Sequence, residues 1–367
     1  MKILHVITSL RLGGAERLLT ELLPRLQQMG HKVAVYSFLG INTPFADQLR
    51  RAGIEVIMGP ENRSVYNPGH IRILRQLMPL YDIVHTHNSS SQLFAALANI
   101  GCDTPLVTTE HNTTNRKRNH WFLHQIDRWM YRQYRQIICI SPAVKQQLNA
   151  DIPCTINRSI VVYNGIDMSR FEQAQPADLR EIIGADIPSQ TFFVIMVAAF
   201  RWEKDHATLI KAMTYLPDNL HLLLVGTDHY GLQAKSQQLV ESLHLTKRVH
   251  FLGERTDVPS LLKAADVVVQ STHVDGFCLA AVEGMASSKP VVVSDVPGIR
   301  EVVQDYGLIF PHQNAKALSE HILQLYQNDN YSSLTASRCK QHALEFDINR
   351  MVSNYNTVYQ NIIAQAQ

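Results

Sequence analysis

The sequence predicts an α/β protein with two doubly wound parallel sheets in series, on three observations. Short apolar runs alternate with helix-patterned segments along the whole 367-residue chain. The apolar runs show little polar alternation, as befits strands covered on both faces. The alternation lapses over residues 164–190, which carry Asn164-Gly165, Pro176 and Pro188, and then restarts. In such sheets the carboxyl ends of the strands converge on a crevice, and two units facing each other would make a deep interdomain cleft.

Taken in order, residues 2–7 form the first strand-like run and 15–29 the first helical pattern. Strand-like runs follow at 32–38, 54–58, 83–85, 106–109, 136–140 and 160–163, with a helical pattern at 91–99. After residue 171 the runs 192–198, 221–225, 249–251, 267–270 and 290–294 read as buried strands, and 205–215, 233–243, 258–264 and 279–286 as helices. The last stretch, from 349 onward, is helix-patterned and is expected to cross back onto the first domain. The expected boundaries are therefore 1–170, 171–348 and 349–367.

Composition narrows the function classes. A hydrophobic share of 46% with 18% charged residues is that of an ordinary globular protein, and a net charge of +2 does not suggest a general nucleic-acid binder. No run approaches the ~20 apolar residues of a spanning helix, and the N-terminal run is too short for a signal peptide. The five cysteines are scattered, with no Cys-x-x-Cys pair, so neither a zinc site nor a disulfide framework is indicated. A reducing cytoplasm is the simplest compartment.

The most informative stretch is Asp275-Gly-Phe-Cys-Leu-Ala-Ala-Val-Glu283. It can place Asp275 near a ligand's reactive end while Glu283, two helical turns on, holds a more distant polar group. Gly276 admits close backbone approach, and the N–H groups opening the helix favour an anion. A ligand with a sugar, a diphosphate and a ribose suits that geometry; a capped, solvated helix start is the plain alternative. Gly13-Gly14-Ala15-Glu16 opens the first helix and suits either a phosphate or a tight turn, and the absence of G-x-G-x-x-G disfavours a nicotinamide cofactor. His85 and His87 alternate to one side of a strand, with His87 nearer its carboxyl end. No further ligand nearby suggests a metal role for it, and a satisfied structural histidine is an equal reading.

Thr108-Thr109-Glu110-His111-Asn112 closes another strand. Arg116, Lys117, Arg118 and Trp121 then begin a segment of interleaved cations and aromatics that continues to Arg135. Such a patch can lie on an anionic lipid surface, receive a phosphate-linked acceptor, or be a solvated helix face with an apolar underside. Arg201-Trp-Glu-Lys204 places two cations at a strand end, where they can neutralise a diphosphate leaving group. Val225-Gly226 and Gly253-Glu254-Arg255 end strands with glycine and fit a nucleotide pocket or tight turns. No Asp-x-Asp occurs in the chain, which argues mildly against a bound divalent ion in the chemistry.

In ordered combination these residues resemble the retaining glycosyltransferases of family four, with the GT-B architecture of two Rossmann-like domains. The resemblance spans nearly the whole chain: Gly13-Gly14-Ala15-Glu16-Arg17, His85-Thr-His87, Thr109-Glu110-His111-Asn112, Ile140-Ser-Pro-Ala-Val144, Tyr163-Asn-Gly-Ile-Asp167, Asp275-Gly276-Phe277 through Glu283, and Val296-Pro-Gly-Ile-Arg-Glu301. It implies an acceptor-binding first domain and a nucleotide-sugar-binding second one. It implies that Glu283 holds the ribose, that Asp275 contacts sugar hydroxyls, and that Gly276, Phe277, Cys278 and Leu279 offer backbone groups to sugar and phosphate. Lys204 would bind the diphosphate, helped by Gly14 from the opposite domain. His87 would flank the transferred sugar, and Gly226, Glu254 and Arg255 would line the nucleotide. Glu110, His111, Arg116, Lys117, Arg118 and Trp121 would serve the acceptor or membrane side.

Two departures stand out. The family's first carboxylate is usually Glu and is Asp275 here. Its usual Arg lies five residues before the lysine, where this chain has Ala199, so Arg201 is the substitute. The expected function is transfer, with retention, from a UDP- or GDP-linked sugar to an acceptor hydroxyl, by front-face displacement and without a metal cofactor. The expected acceptor is a lipid-linked glycan in bacterial surface polysaccharide assembly, with peripheral contact at the inner face of the cytoplasmic membrane. A sugar-nucleotide 2-epimerase of the same plan and a non-catalytic nucleotide-sugar binding protein are the alternatives.

Overall fold

The structure, a computed structural model, describes residues 1–11, 13–61, 64–111, 113, 120–184, 187–188, 190–228 and 231–365. The chain divides into two units. One comprises Met1–Gly165 with Ile348–Gln367, and the other Ile166–Asp347.

The first unit carries seven strands: β1 (Lys2–Ile7), β2 (Lys32–Ser37), β3 (Glu55–Met58), β4 (Ile83–His87), β5 (Leu106–Glu110), β6 (Gln136–Cys139) and β7 (Ser159–Val161). They pair in the order β3-β2-β1-β4-β5-β6-β7, all parallel. Strand order reverses between β1 and β4, the kind of switch point outside which open α/β sheets bind ligands. The helix Gly14–Gln28 follows β1 because Ala15, Leu18, Leu19, Leu22, Leu23 and Leu26 recur at helical spacing and form a buried stripe. The helix Ile348–Ala364 buries Met351, Val352, Tyr355, Val358, Tyr359 and Ile362 by the same rule, and they join the core cluster of this unit.

The second unit carries β8 (Phe192–Val197), β9 (Leu220–Val225), β10 (Val249–Gly253), β11 (Val267–Gln270), β12 (Val291–Ser294) and β13 (Leu308–Phe310), in the parallel order β10-β9-β8-β11-β12-β13. Its switch point lies between β8 and β11. Strand β13 has no counterpart among the sequence expectations, because three residues are too few to stand out as an apolar run. Strand β4 reaches His87, two residues beyond the expected run, because register pairs Ile83–His87 with β1 and Val84–His87 with β5. Both units thus match the α/β, doubly wound class expected.

Candidate active site

In the second unit the two strand ends at the switch point are tied together. Beyond β8 the chain turns, with the Lys204 N–H donating to the Arg201 carbonyl at 3.0 Å, and Lys204 forms an isolated bridge with Thr272 just beyond β11. The Thr272 hydroxyl and the His273 N–H both donate to the Glu203 carbonyl, at 2.6 and 2.8 Å. That clamp brings Lys204 Nζ onto the Asp275 carboxylate in an ion pair whose side chains are 23% and 13% exposed. The other Asp275 oxygen accepts the Phe277 N–H at 3.1 Å.

Burial alone would lower Lys204 and raise Asp275. The mutual charge and hydrogen bond outweigh it, holding the ammonium above the ordinary lysine value and the carboxyl below the ordinary carboxylate value. Both are therefore ionised across the neutral range.

Cys278 caps the helix Leu279–Ala286 in the left-handed region, with φ 62°. A non-glycine residue there is uncommon, and such positions are over-represented at functional sites. Burial, with the Asp275 carboxylate beside it, pushes the Cys278 thiol up to about 12, so it is not a thiolate nucleophile. Phe277 is buried against Phe346, ring centroids 5.4 Å apart at 82°. Gly276 is the residue between Asp275 and Phe277, Leu279 opens the helix, and Glu283 on that helix is only 2% exposed.

Gly298, which sequence reasoning named only as part of a motif, supports this loop. Its φ is +86°, and a Cβ there would lie 2.2 Å from the Asp275 carbonyl oxygen. Gly226 is a close-approach residue too, since its Cβ would meet the Ala198 carbonyl oxygen at 2.0 Å. Arg201 pairs with Glu203 at 3.6 Å and stays half exposed. Arg255 forms a two-pronged ion pair with Asp257 at 2.8 and 2.6 Å, beside the exposed Glu254. A small cavity lined by Arg201, Trp202, Lys204, Asp205, His206 and His273 has a volume of about 140 Å³.

In the first unit the candidate residues also flank the switch point. Gly14 begins its helix, and an added Cβ there would meet nothing within 4 Å among the described residues. His87 ends β4 and is buried, and the next residue, Asn88, has φ 75° and ψ 150°. Register sets His5 of β1 opposite His85, a juxtaposition no sequence signal gives, because it needs the β1–β4 pairing. His5 Nδ1 lies 3.1 Å from His87 Nε2, and His87 Nδ1 lies 3.3 Å from His111 Nε2. His85 meets Tyr359 at 2.6 Å and Thr109 at 2.8 Å.

Burial lowers all four histidines, His5 to about 3 and His111 to about 4, so they are neutral near pH 7. His5 Nε2 is buried without a partner among the described residues. An unfilled lone pair is tolerated better than an unfilled N–H, so His5 donates from Nδ1 to His87, and His87 in turn donates to His111. His87 is thereby a fixed neutral ring. The half-buried Glu110 accepts from Tyr131 at 2.6 Å and from Gln92. Trp121 and Phe122 are 79% and 60% exposed at the start of the helix Trp121–Arg132. Arg116, Lys117 and Arg118 lie outside the described residues.

Comparison with known proteins places the two halves of the chain in one family. Residues 12–170 match the family described as Glycosyltransferase Family 4, and residues 180–345 that described as Glycosyl transferases group 1. The N-acetyl-alpha-D-glucosaminyl L-malate synthase of Bacillus anthracis is 25% identical over 369 residues, covering 96% of this chain and 94% of that protein. The N,N'-diacetylbacillosaminyl-diphospho-undecaprenol alpha-1,3-N-acetylgalactosaminyltransferase of Campylobacter jejuni is 31% identical over 172 residues, covering 46% of this chain and 45% of that protein. Among solved structures, Anabaena HepE in complex with UDP superposes with a TM-score of 0.87 at 22% identity, covering 98% of this chain and all of that one, which shows the fold. With both family matches in chain order on two doubly wound sheets, the chain belongs to the family 4, group 1 glycosyltransferases of GT-B fold.

Proposed function

We propose that this glycosyltransferase takes its sugar from a nucleoside-diphosphate donor and transfers it, with retention, to a hydroxyl of a lipid-linked glycan. The observation that carries the donor half is the Lys204–Asp275 pair at the switch point of the second sheet, just before the helix Leu279–Ala286 that carries the buried Glu283. Lys204 is a permanent cation that a diphosphate can take over from Asp275, which frees the carboxylate for sugar hydroxyls. Glu283 is placed to accept from a ribose. The UDP held by the Anabaena structure supports a uridine nucleotide.

As the diphosphate leaves, charge grows on its oxygen. Lys204, with Arg201 at the rim, stabilises that charge while the oxygen draws the acceptor's proton. The roles assigned to Gly14 and His87 by the family resemblance are part of the same reading.

The acceptor half rests on the lipid-diphosphate acceptor in the name of the Campylobacter relative and on the exposed Trp121 and Phe122 beside a basic segment. No helix among the described residues is long and apolar enough to cross a membrane. Peripheral attachment at the inner face of the cytoplasmic membrane, in surface polysaccharide assembly, follows as part of the proposal.

Removing one preorganised charged contact to a leaving group costs about 2–4 kcal/mol in the barrier. Lys204→Ala is therefore expected to lower transfer by about 30- to 1000-fold with an unchanged circular-dichroism spectrum. Transfer is followed as UDP release with a polyprenyl-diphosphate glycan acceptor, and the anomeric configuration of the product is read by NMR. Wild-type turnover in the variant, or conversion of the donor to an epimer without any acceptor, overturns the reading.

A further inference from the structure

We infer that the second unit holds a site for a first-row divalent transition ion, built from the Asp205 carboxylate and the imidazoles of His273 and His312. One ligand atom from each lies within 4.8 Å of the others. His273 Nδ1 is 2.9 Å from His312 Nε2 and 3.8 Å from Asp205 Oδ2. With metal–nitrogen bonds of about 2.1 Å, neighbouring octahedral ligands stand about 3.0 Å apart and opposite ones about 4.2 Å. The histidine pair already spans such an edge, and the 3.8 Å from His273 Nδ1 to Asp205 Oδ2 lies between the edge and the diagonal of the same octahedron. The two rings stand at 81°, so neither covers the other's nitrogen.

The three groups come from separate strand ends, and two are held before any ion arrives. Asp205 caps the helix His206–Ala212, with Oδ1 accepting the Thr208 N–H at 3.0 Å and Oδ2 the Thr208 hydroxyl at 2.6 Å. Hydrogen bonds of this kind orient ligating carboxylates. His273 is fixed by its N–H to the Glu203 carbonyl and by the Trp202 ring stacked over it, centroids 6.3 Å apart at 17°. His312 follows β13, next to Gln313 with φ 62°. Burial is graded from the buried Asp205 through the half-buried His273 to the exposed His312, which leaves an entry path and room for waters at the remaining positions.

Two imidazoles and one carboxylate suit Zn²⁺, Ni²⁺ or Co²⁺ better than Mg²⁺ or Ca²⁺. Binding requires both facing nitrogens to offer lone pairs. The ring that carries the shared proton moves it to its other nitrogen, a tautomer change without net proton loss. The buried His5, His85 and His87 cluster meets the same distance criterion but is a poorer site. Both nitrogens of His85 and of His87 already have partners, and an ion there would break those bonds in the sheet interior.

The test uses the full chain stripped with EDTA, titrated with Co²⁺ by its visible absorption and with Zn²⁺ by calorimetry. One ion per chain is expected, with micromolar affinity. His273→Ala and His312→Ala should each weaken binding at least about tenfold. Asp205→Asn keeps the helix cap, which Asn serves as well as Asp, and should weaken binding as well. His312 is exposed, so its variant should melt as the wild type does. Absence of stoichiometric binding, or wild-type affinity in His312→Ala, overturns the site. Because the readout is ion binding, the result is independent of donor and acceptor.

Discussion

Asp275 keeps its place because of a glycine far from it in sequence. Gly298 presses its Cα against the Asp275 carbonyl with φ +86°, a backbone state that L side chains rarely adopt. An added methyl meets both obstacles, the conformational one and the backbone oxygen 2.2 Å away. Gly298→Ala is accordingly expected to cost about 1–3 kcal/mol, the range for a strained backbone position. It should also displace the Asp275 loop, so the melting temperature and the affinity for UDP fall together, measured by thermal melts with and without nucleotide. A melt and an affinity both equal to the wild type's would show the loop to be held by something else. At this scale the sequence was informative about type but not about partner. Asp275 stood out as a carboxylate in a glycine-bearing turn, Glu283 as a second one on the helix after it, and Lys204 as a cation at a strand end. That Lys204 pairs with Asp275, and that Gly298 backs the Asp275 loop, needs three strand ends placed side by side, which no local pattern encodes.

The layer between the first sheet and the helix Ile348–Ala364 is polar at its centre. His5, His85 and His87 stack with ring centroids 4.6–5.4 Å apart, and the Tyr359 and Tyr355 hydroxyls close the layer by binding His85 and Thr109. Strand alternation predicted that His85 and His87 share a side; His5 joined them only through the parallel β1–β4 register. Similarly, long apolar runs such as those of β8 and β9 were legible, while the three-residue β13 was not.

The layer also makes stability depend on pH. Burial lowers the folded-state values of His5, His85, His87 and His111 below 6.5, so the unfolded chain binds more protons below that pH. Their contribution is complete above about 6.5 and declines as pH falls from there. Each histidine adds at most about 1.4 kcal/mol per pH unit to the slope. Urea melts of the full chain between pH 7 and 5 should show this decline, and His5→Gln should reduce it by about one proton. An equal slope in wild type and variant would mean that the cluster is already charged, or that it does not govern unfolding.

At the scale of the molecule, the chain leaves the first unit after Gly165 and returns to it at Ile348. The consequences for the two units differ. The second unit is one continuous segment with its own core, and its two ends adjoin. Ile166 bridges Asp347, and the Ile166 N–H donates to the Phe346 carbonyl at 2.9 Å. Compact segments with adjoining ends tolerate excision. The first unit is built from two separated segments, and its core is incomplete without Met351, Val352, Tyr355, Val358, Tyr359 and Ile362. Burying six such side chains contributes on the order of 10 kcal/mol, comparable with the whole stability of a domain. Losing the helix also strips His85 and Thr109 of their tyrosine partners in the sheet interior. Residues 166–347 expressed alone should therefore unfold cooperatively, with a melting temperature raised by UDP. Residues 1–165 alone should show no cooperative transition, and fusing 348–367 to them through a flexible linker should restore one. A cooperative melt from 1–165 without that helix would show that the sheet closes its core unaided, and the final segment would then be an attachment, not a structural part of the unit.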